Sequence, residues 1–461
     1  MQEFAESSEE FKSLISSIDK KLKNRDTFYL DVEDINLVVD YYIEKGFVHK
    51  AISVLKVGLS LHPNATGVWM QMAQVYSINS EYEKALEWVR KVQNLDPHLN
   101  EIHLLKAEIF GFQHKHEKSI ECYLNYMKNA SKEDRELVYS DIAWEYESCN
   151  DFENALKYLK MALNTNPKED TILFEIAYFY EMLEKPEGSI NFYEKFIDEN
   201  PYSYNAWYNL GNVYSDQKMY EKAIYAFDYA SIIKEDFSSA FFNKGNVHFK
   251  LKQYQESLEC YFKTFEFEDN QPITYCYIGE CYEKLNNLNE AEKYYELALS
   301  LNENIVEGLI GITLIKDKKG ETTQGLSYIK KATKLHPENT ECWYILAEVY
   351  EKLERFEESH LAYQKAFGLS PENIQLVLDY SNFLAENQSI NEAIELVESI
   401  DDIKVNYRLV AYYFILGEKI KALELFEKCL NIDYTLHQEL LDYHGDITKY
   451  STFMNLVEKL K

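Results

Sequence analysis

Small residues return along this chain at a nearly constant interval, and no other property of the sequence limits its fold as tightly. Ala51, Ala85, Ser119, Ala155, Ser189, Ala223, Ser257, Ala291, Gly325, Ser359, Ala393 and Ala422 follow one another at 34 residues, except for 36 before Ala155 and 29 before Ala422. A second small residue stands twelve positions earlier in the clear cases: Ala73, Ala107, Ala143, Ala177, Gly211, Gly245, Gly279 and Ala347. Two antiparallel helices joined by a short turn approach closely only where no bulky side chain separates them, so each interval reads as one helix-turn-helix unit. Proline tests this independently, because it cannot continue a helix and belongs in the links. Six of the eight prolines, Pro63, Pro97, Pro167, Pro201, Pro337 and Pro371, fall twelve residues after a small residue. Pro186 lies in the turn within a unit, and Pro272 opens a first helix, where its missing N–H costs nothing. Units of this kind bury one another by stacking, so 461 residues call for one elongated domain rather than several cores.

The fullest unit runs from 204 to 237. Trp207, Leu210, Gly211 and Tyr214 form an apolar stripe at helical spacing, and Tyr220, Ala223, Phe227 and Ala230 form a second after a polar break. This resembles the tetratricopeptide repeat, W-x2-L-G-x2-Y followed by A-x3-F and a proline, with Glu235 in place of the last. The chain is also similar in style to intracellular bacterial members of that family. The resemblance implies an all-α, right-handed superhelical solenoid of about twelve units over 32–436. Residues 1–31 are then a polar segment and a capping helix carrying Phe11, Leu14, Ile15, Ile18 and Leu22, with the first seven residues frayed. Residues 437–461, with Leu440, Leu441, Tyr443, Phe453, Leu456, Val457 and Leu460, form a C-terminal cap of two short helices split near Gly445. Three departures stand out: the unit 100–135 carries a two-residue insertion, Thr313 replaces a small residue opposite Gly325, and 374–402 is five residues short.

Charge and cysteine content exclude several functions. With 78 acidic against 48 basic residues the net charge is −30, the wrong sign for a phosphate backbone, so nucleic acid is not expected. The start MQEFAESSEEF has no apolar signal region and no later run is long enough to span a membrane, which points to the cytoplasm. Seven cysteines form no C-x-x-C pair and read as reduced structural thiols.

No phosphate-binding loop is present, and the one Glu-x-x-His, Glu357 to His360, lacks the second copy that a di-iron site requires, leaving His360 as a surface residue. His114 and His116 read as exposed loop residues, and nothing points to a cofactor or metal. The chain is therefore read as no enzyme. The resemblance places the binding surface on the concave face, lined by each unit's first helix. Asn209 and Asn212, and 34 residues on Asn243 and Asn246, match the asparagines with which tetratricopeptide grooves grip main chain. The alternative is that they bond to neighbouring helices. A clamp for a free carboxylate is incomplete, since its basic positions hold Tyr208, Ile273 and Tyr277. Tyr208, Phe242 and Tyr344 are candidate aromatic anchors. Glu280, Glu283, Glu307, Glu341, Glu348 and Glu351 make the groove acidic toward the C-terminal half, partly offset by Lys284 and Lys352. The expected function is a scaffold or adaptor for a protein or peptide with a basic segment. The alternative is a regulatory subunit docking through its convex surface and C-terminal cap.

Overall fold

The computed structural model describes residues 9–24, 28–268, 270–387 and 389–460, and every regular element among them is helical. Twelve antiparallel helix pairs follow one another, from Val32–Glu44 with Val48–Leu61 to Ile403–Leu416 with Lys419–Ile432. All twelve periodic small residues are buried. Where the small residue is serine, its hydroxyl mostly bonds the carbonyl facing it: Ser119 to Ala107 O at 2.8 Å, Ser257 to Gly245 O at 2.8 Å and Ser359 to Ala347 O at 2.9 Å. A Cβ on Gly325 would stand 3.1 Å from the main-chain Thr313 O, so glycine lets the two backbones approach closely at this crossing, while Thr313 Oγ1 donates to Leu309 O at 2.7 Å.

Each described turn within a pair uses one left-handed residue, five positions before the small residue. Glycine fills it only at Gly46, Gly320 and Gly417; Ser80, His114, Asn150, Glu184, Lys218, Lys252, Asn286 and Glu354 hold φ between 51° and 61° there. The next amide then turns back onto the first helix, as from Met219 N to Tyr214 O at 2.8 Å, which closes that helix's C-terminus. In the pair 374–398 the corresponding position lies outside the described residues.

By contact the chain divides into two compact units, residues up to 234 and residues from 235. In the first, helix Glu9–Asn24 buries Phe11, Ile15 and Ile18 against Ile35, Val38 and Tyr42, and Asp19 accepts from Tyr42 Oη at 2.9 Å and Lys50 Nζ at 2.7 Å. The frayed start expected for the first seven residues lies outside the described residues. The two extra residues of the third pair are taken up beyond its second helix, where Lys132–Glu136 adds a helical turn to the link. In the second unit, the five-residue deficit shortens helix Ile390–Glu398 without interrupting the core, which runs on through Ala393, Ile394, Val397, Val405 and Leu409. Beyond Ile432, Leu440, Ile447, Phe453 and Val457 close over Tyr407, Val410 and Phe426. The short helices His437–Tyr443 and Ser451–Leu460 are separated by a 3-10 turn that begins at Gly445.

Candidate functional site

Within each unit several first helices of successive pairs touch one another, as Thr66–Ile78 does Glu101–Phe112 and Pro272–Lys284 does Val306–Lys318. Residues at fixed places on them therefore form rows. Counted from the small residue of the first helix, the places two before, one after and four after recur most. They hold Tyr277, Glu280 and Glu283 in one pair, and Ile345, Glu348 and Glu351 in another.

In the second unit these rows are acidic, and the structure sorts the carboxylates into two kinds. Glu283 accepts from Lys318 Nζ at 2.7 Å, and Asp317 accepts from Lys352 Nζ at 2.5 Å, so each is neutralised by the following pair. Glu280 and Glu348 have no such partner among the described residues. Withdrawal from water raises both carboxyls above their ordinary value; Lys284 and Lys352 oppose this, while Glu283 and Glu341 reinforce it at Glu280 and Asp379 and Glu351 do so at Glu348. Glu351 is raised mainly by the same withdrawal, against a hydrogen bond from Tyr363 Oη at 3.1 Å. A cavity of about 430 Å³ lies among Tyr277, Glu280, Glu283, Glu307, Gly311 and Glu341. Gly311 is needed there, because a Cβ would stand 2.1 Å from the Tyr295 ring.

The aromatic candidates are half-buried and packed. Tyr344 donates its hydroxyl to Asp379, an acidic residue of the next first helix that the sequence reading passed over. Phe242 meets Tyr261 and Tyr277 at 5.6 and 5.5 Å, and Tyr208 meets Phe227 and Phe174 at 5.9 and 6.3 Å.

The two asparagine pairs belong to different compact units and behave differently from a uniform ladder. Asn209 is only 3% exposed; its amide donates to Leu173 O at 3.2 Å and Tyr193 Oη at 3.4 Å. This changes its expected role from gripping a peptide to tying helix Tyr204–Asp216 to helix Asp170–Met182. Asn246 accepts from Tyr261 Oη at 2.7 Å and donates to Asn243 Oδ1 at 3.4 Å, leaving Asn243 and Asn246 half-buried beside one another. Asn212 shares the wall of a cavity of about 440 Å³ with Asn209 and Ser189.

Two histidines differ from their sequence reading. His116 is not an exposed loop residue: it opens helix His116–Asn129, and its Nδ1 lies 2.7 Å from Glu145 Oε2. Ser119 bonds the other oxygen of Glu145 at 2.9 Å, and Gly111 leaves the space that carboxylate occupies. His360 is half-buried, with Nδ1 3.4 Å from Tyr380 Oη and its ring stacked on Phe383. Among the described residues no group of three His, Cys, Asp or Glu is placed to hold a metal ion, and no helix is long and apolar enough to cross a membrane. Six of the seven cysteines are buried, and burial raises the Cys281, Cys342 and Cys429 thiols to about 11, which keeps them protonated and inert.

The first unit holds an acidic site that sequence reasoning missed. Asp40, Gln74 and Glu108 occupy the same place, one after the small-residue position, as Asn212, Asn246, Glu280 and Glu348. Carrying the 34-residue interval back to the N-terminal pairs would have found them.

Paired helices with small residues at each crossing define the class as an all-α repeat solenoid. The chain is a tetratricopeptide repeat protein: models described as tetratricopeptide repeat match residues 66–99, 138–169, 192–225, 238–263, 272–305, 340–373 and 403–435. It is similar to the TPR repeat-containing protein YpiA of Bacillus subtilis (strain 168), 23% identical over 406 residues, covering 80% of this chain and 87% of that protein. It also resembles the N-terminal acetyltransferase A complex auxiliary subunit NAA15 of Arabidopsis thaliana, 23% identical over 142 residues, 29% of this chain and 16% of that one. Among solved structures, that of the APC/C hetero-tetramer Cut9-Hcn1 aligns with 93% of this chain and 95% of its own at 13% identity and a TM-score of 0.43. Tetratricopeptide repeat proteins generally mediate protein–protein interaction and are generally non-catalytic.

Proposed function

We propose that the chain is a non-enzymatic scaffold or adaptor of the cytoplasm whose first-helix face receives a protein or peptide with a basic segment. Its repeats span 32–436, closed by residues 1–31 and 437–461. The observation that carries this reading is the split among the carboxylates of the second unit. Glu283 and Asp317 are neutralised internally, whereas Glu280, Glu348 and Glu351 are withdrawn from water beside other acids. A bound lysine or arginine would relieve that repulsion, with Tyr344 and Phe242 adding apolar contact and Asn243 and Asn246 bonding main chain. Opposite charge speeds encounter, and salt screens it beyond a Debye length of about 8 Å.

One observation favours a second reading, docking of a larger complex through the second helices. Trp207 stacks on Tyr229 at 4.6 Å and Tyr225 lies 4.7 Å from Tyr229, while Tyr225 is 56% and Ile232 70% exposed. One relative bears the name of an auxiliary subunit. Affinity capture from native lysate with mass spectrometry separates the two, using wild type, a Glu348→Lys/Glu351→Lys variant and a Tyr225→Ala/Tyr229→Ala variant. Partners lost only with the charge reversal, and eluted by salt, support the acidic face. Retention by that variant with loss at the tyrosines would transfer the function to the outer helices.

A further inference from the structure

We infer that the first unit carries a second binding site, a recess that takes one arginine side chain of a protein partner. The recess measures about 470 Å³ and is built from four successive first helices and Tyr123 of the second helix His116–Asn129, with Ser77, Ile78, Glu108, Phe112, Asp141 and Trp144 on its walls. Three properties of these walls specify the occupant.

The first is uncompensated negative charge. Glu108 is half-buried and Asp141 stands at the exposed mouth; Asp141 acts on Glu108 and Glu145 acts on Asp141, and no basic residue is among the groups that shift them. Withdrawal from water is the larger cause at both, and it raises both carboxyls. The neighbouring Glu145 shows what satisfaction looks like: His116 and Ser119 hold both its oxygens.

The second is an unmet hydrogen bond. Ser77 is 4% exposed, faces the recess, and its hydroxyl has no partner among the described residues. A buried hydroxyl without a partner is costly, so a donor or acceptor arriving from outside gains a bond that folding left unmade.

The third is a greasy, aromatic rim. Ile78, Phe112 and Trp144 are 49%, 55% and 54% exposed, a cluster of apolar side chains at one cavity. A guanidinium fits all three properties better than an ammonium does. Its five N–H donors serve two carboxylates and a hydroxyl at once, its plane lies against aromatic rings, and it sheds water more readily. The three methylenes of its stem match the apolar rim.

This site lies in the other compact unit from the acidic face proposed above, and it stands or falls on its own. The test uses the full chain labelled with 5-fluorotryptophan, whose five tryptophans give separate ¹⁹F signals, with Trp144 assigned from Trp144→Phe. The probe is Nα-acetyl-arginine methylamide, compared with the lysine and citrulline equivalents. The Trp144 signal is expected to shift saturably with arginine, and Glu108→Gln or Asp141→Asn to weaken binding about tenfold, the loss of one charge-assisted contact. Both substitutions remove a like-charge repulsion, so neither threatens folding. Glu348→Gln, in the other unit, leaves this titration unchanged. A Trp144 signal that does not move, equal binding of citrulline, equal binding of lysine, or unaltered affinity in both variants would overturn the assignment.

Discussion

Four second helices open with serine where the others carry alanine or glycine, and the structure makes them differ in sign. Ser257 donates to Gly245 O at 2.8 Å, but the Ser189 hydroxyl, on a residue 2% exposed, has no partner among the described residues. An intramolecular hydrogen bond contributes a net ~0.5–1.5 kcal/mol, whereas a buried hydroxyl left unbonded costs ~1–3 kcal/mol. Ser257→Ala should therefore destabilise the second unit by about 1 kcal/mol, and Ser189→Ala should stabilise the first by about the same amount. Steric fit does not confound the comparison, since alanine occupies the equivalent place at Ala155, Ala223 and Ala291 with no exposure. For units of this size about 1 kcal/mol moves the melting midpoint by roughly 2–4 °C, in opposite directions for the two variants. Thermal melts of the full chain would show it, and hydrogen exchange would locate it in helix Pro186–Glu199 for one and Tyr254–Thr264 for the other. Should both substitutions destabilise equally, the Ser189 hydroxyl is bonded in solution and the reasoning fails.

The left-handed turn residues offer a second test: Glu354 is exposed and holds φ at 58°, so Glu354→Gly should gain about 1 kcal/mol, read as a higher urea midpoint, and an unchanged or lower midpoint would count against backbone strain there. Gly325→Ala sets the helix preference for alanine, about 1 kcal/mol, against a Cβ 3.1 Å from the main-chain Thr313 O, a contact that truncating the Thr313 side chain does not relieve, so its gain in urea midpoint should fall short of that preference and be the same in a Thr313→Ala background; a larger gain in that background would show that the two side chains share space. Glu348 gives a pH signature. Its carboxyl is raised chiefly by withdrawal from water, so the folded chain keeps that proton to higher pH than the unfolded chain. The resulting stability is present below the ordinary 4.5 and is lost as pH rises through the raised value. Glu348→Gln cannot lose it, so its advantage over wild type in urea midpoints should grow with pH and then level off; parallel curves would contradict the assigned environment. Asn209→Ala should cost about 1–3 kcal/mol, since it removes the amide that satisfies Leu173 O and Tyr193, and a neutral melt would return that residue to the list of ligand contacts.

Much of this fold was legible because it rests on a single geometric demand. Wherever two helices cross closely a small residue must stand, so the interval between Ala51, Ala85 and Ser119 counts the pairs, and the prolines mark the links without reference to any contact. The apolar spacings of residues 11–22 and 440–457 marked the closing helices for the same reason, an uncovered flank that needs burial. Tertiary structure alone decided the chemistry of the face. Whether a carboxylate is neutralised depends on a side chain about 34 residues away reaching it: Lys318 reaches Glu283 and Lys352 reaches Asp317, while Glu280 and Glu348 are left to their acidic neighbours. Asn209 and Asn212 look alike in sequence, yet Asn209 is turned inward onto Leu173 O. Eight turns adopt a left-handed residue without glycine to announce it, because the closing bond back to the first helix and the packing of the pair outweigh the local preference. A repeat period states which positions share a face; the reach and rotation of side chains between neighbouring helices decide which of those positions still have charge or hydrogen-bonding capacity to offer a partner.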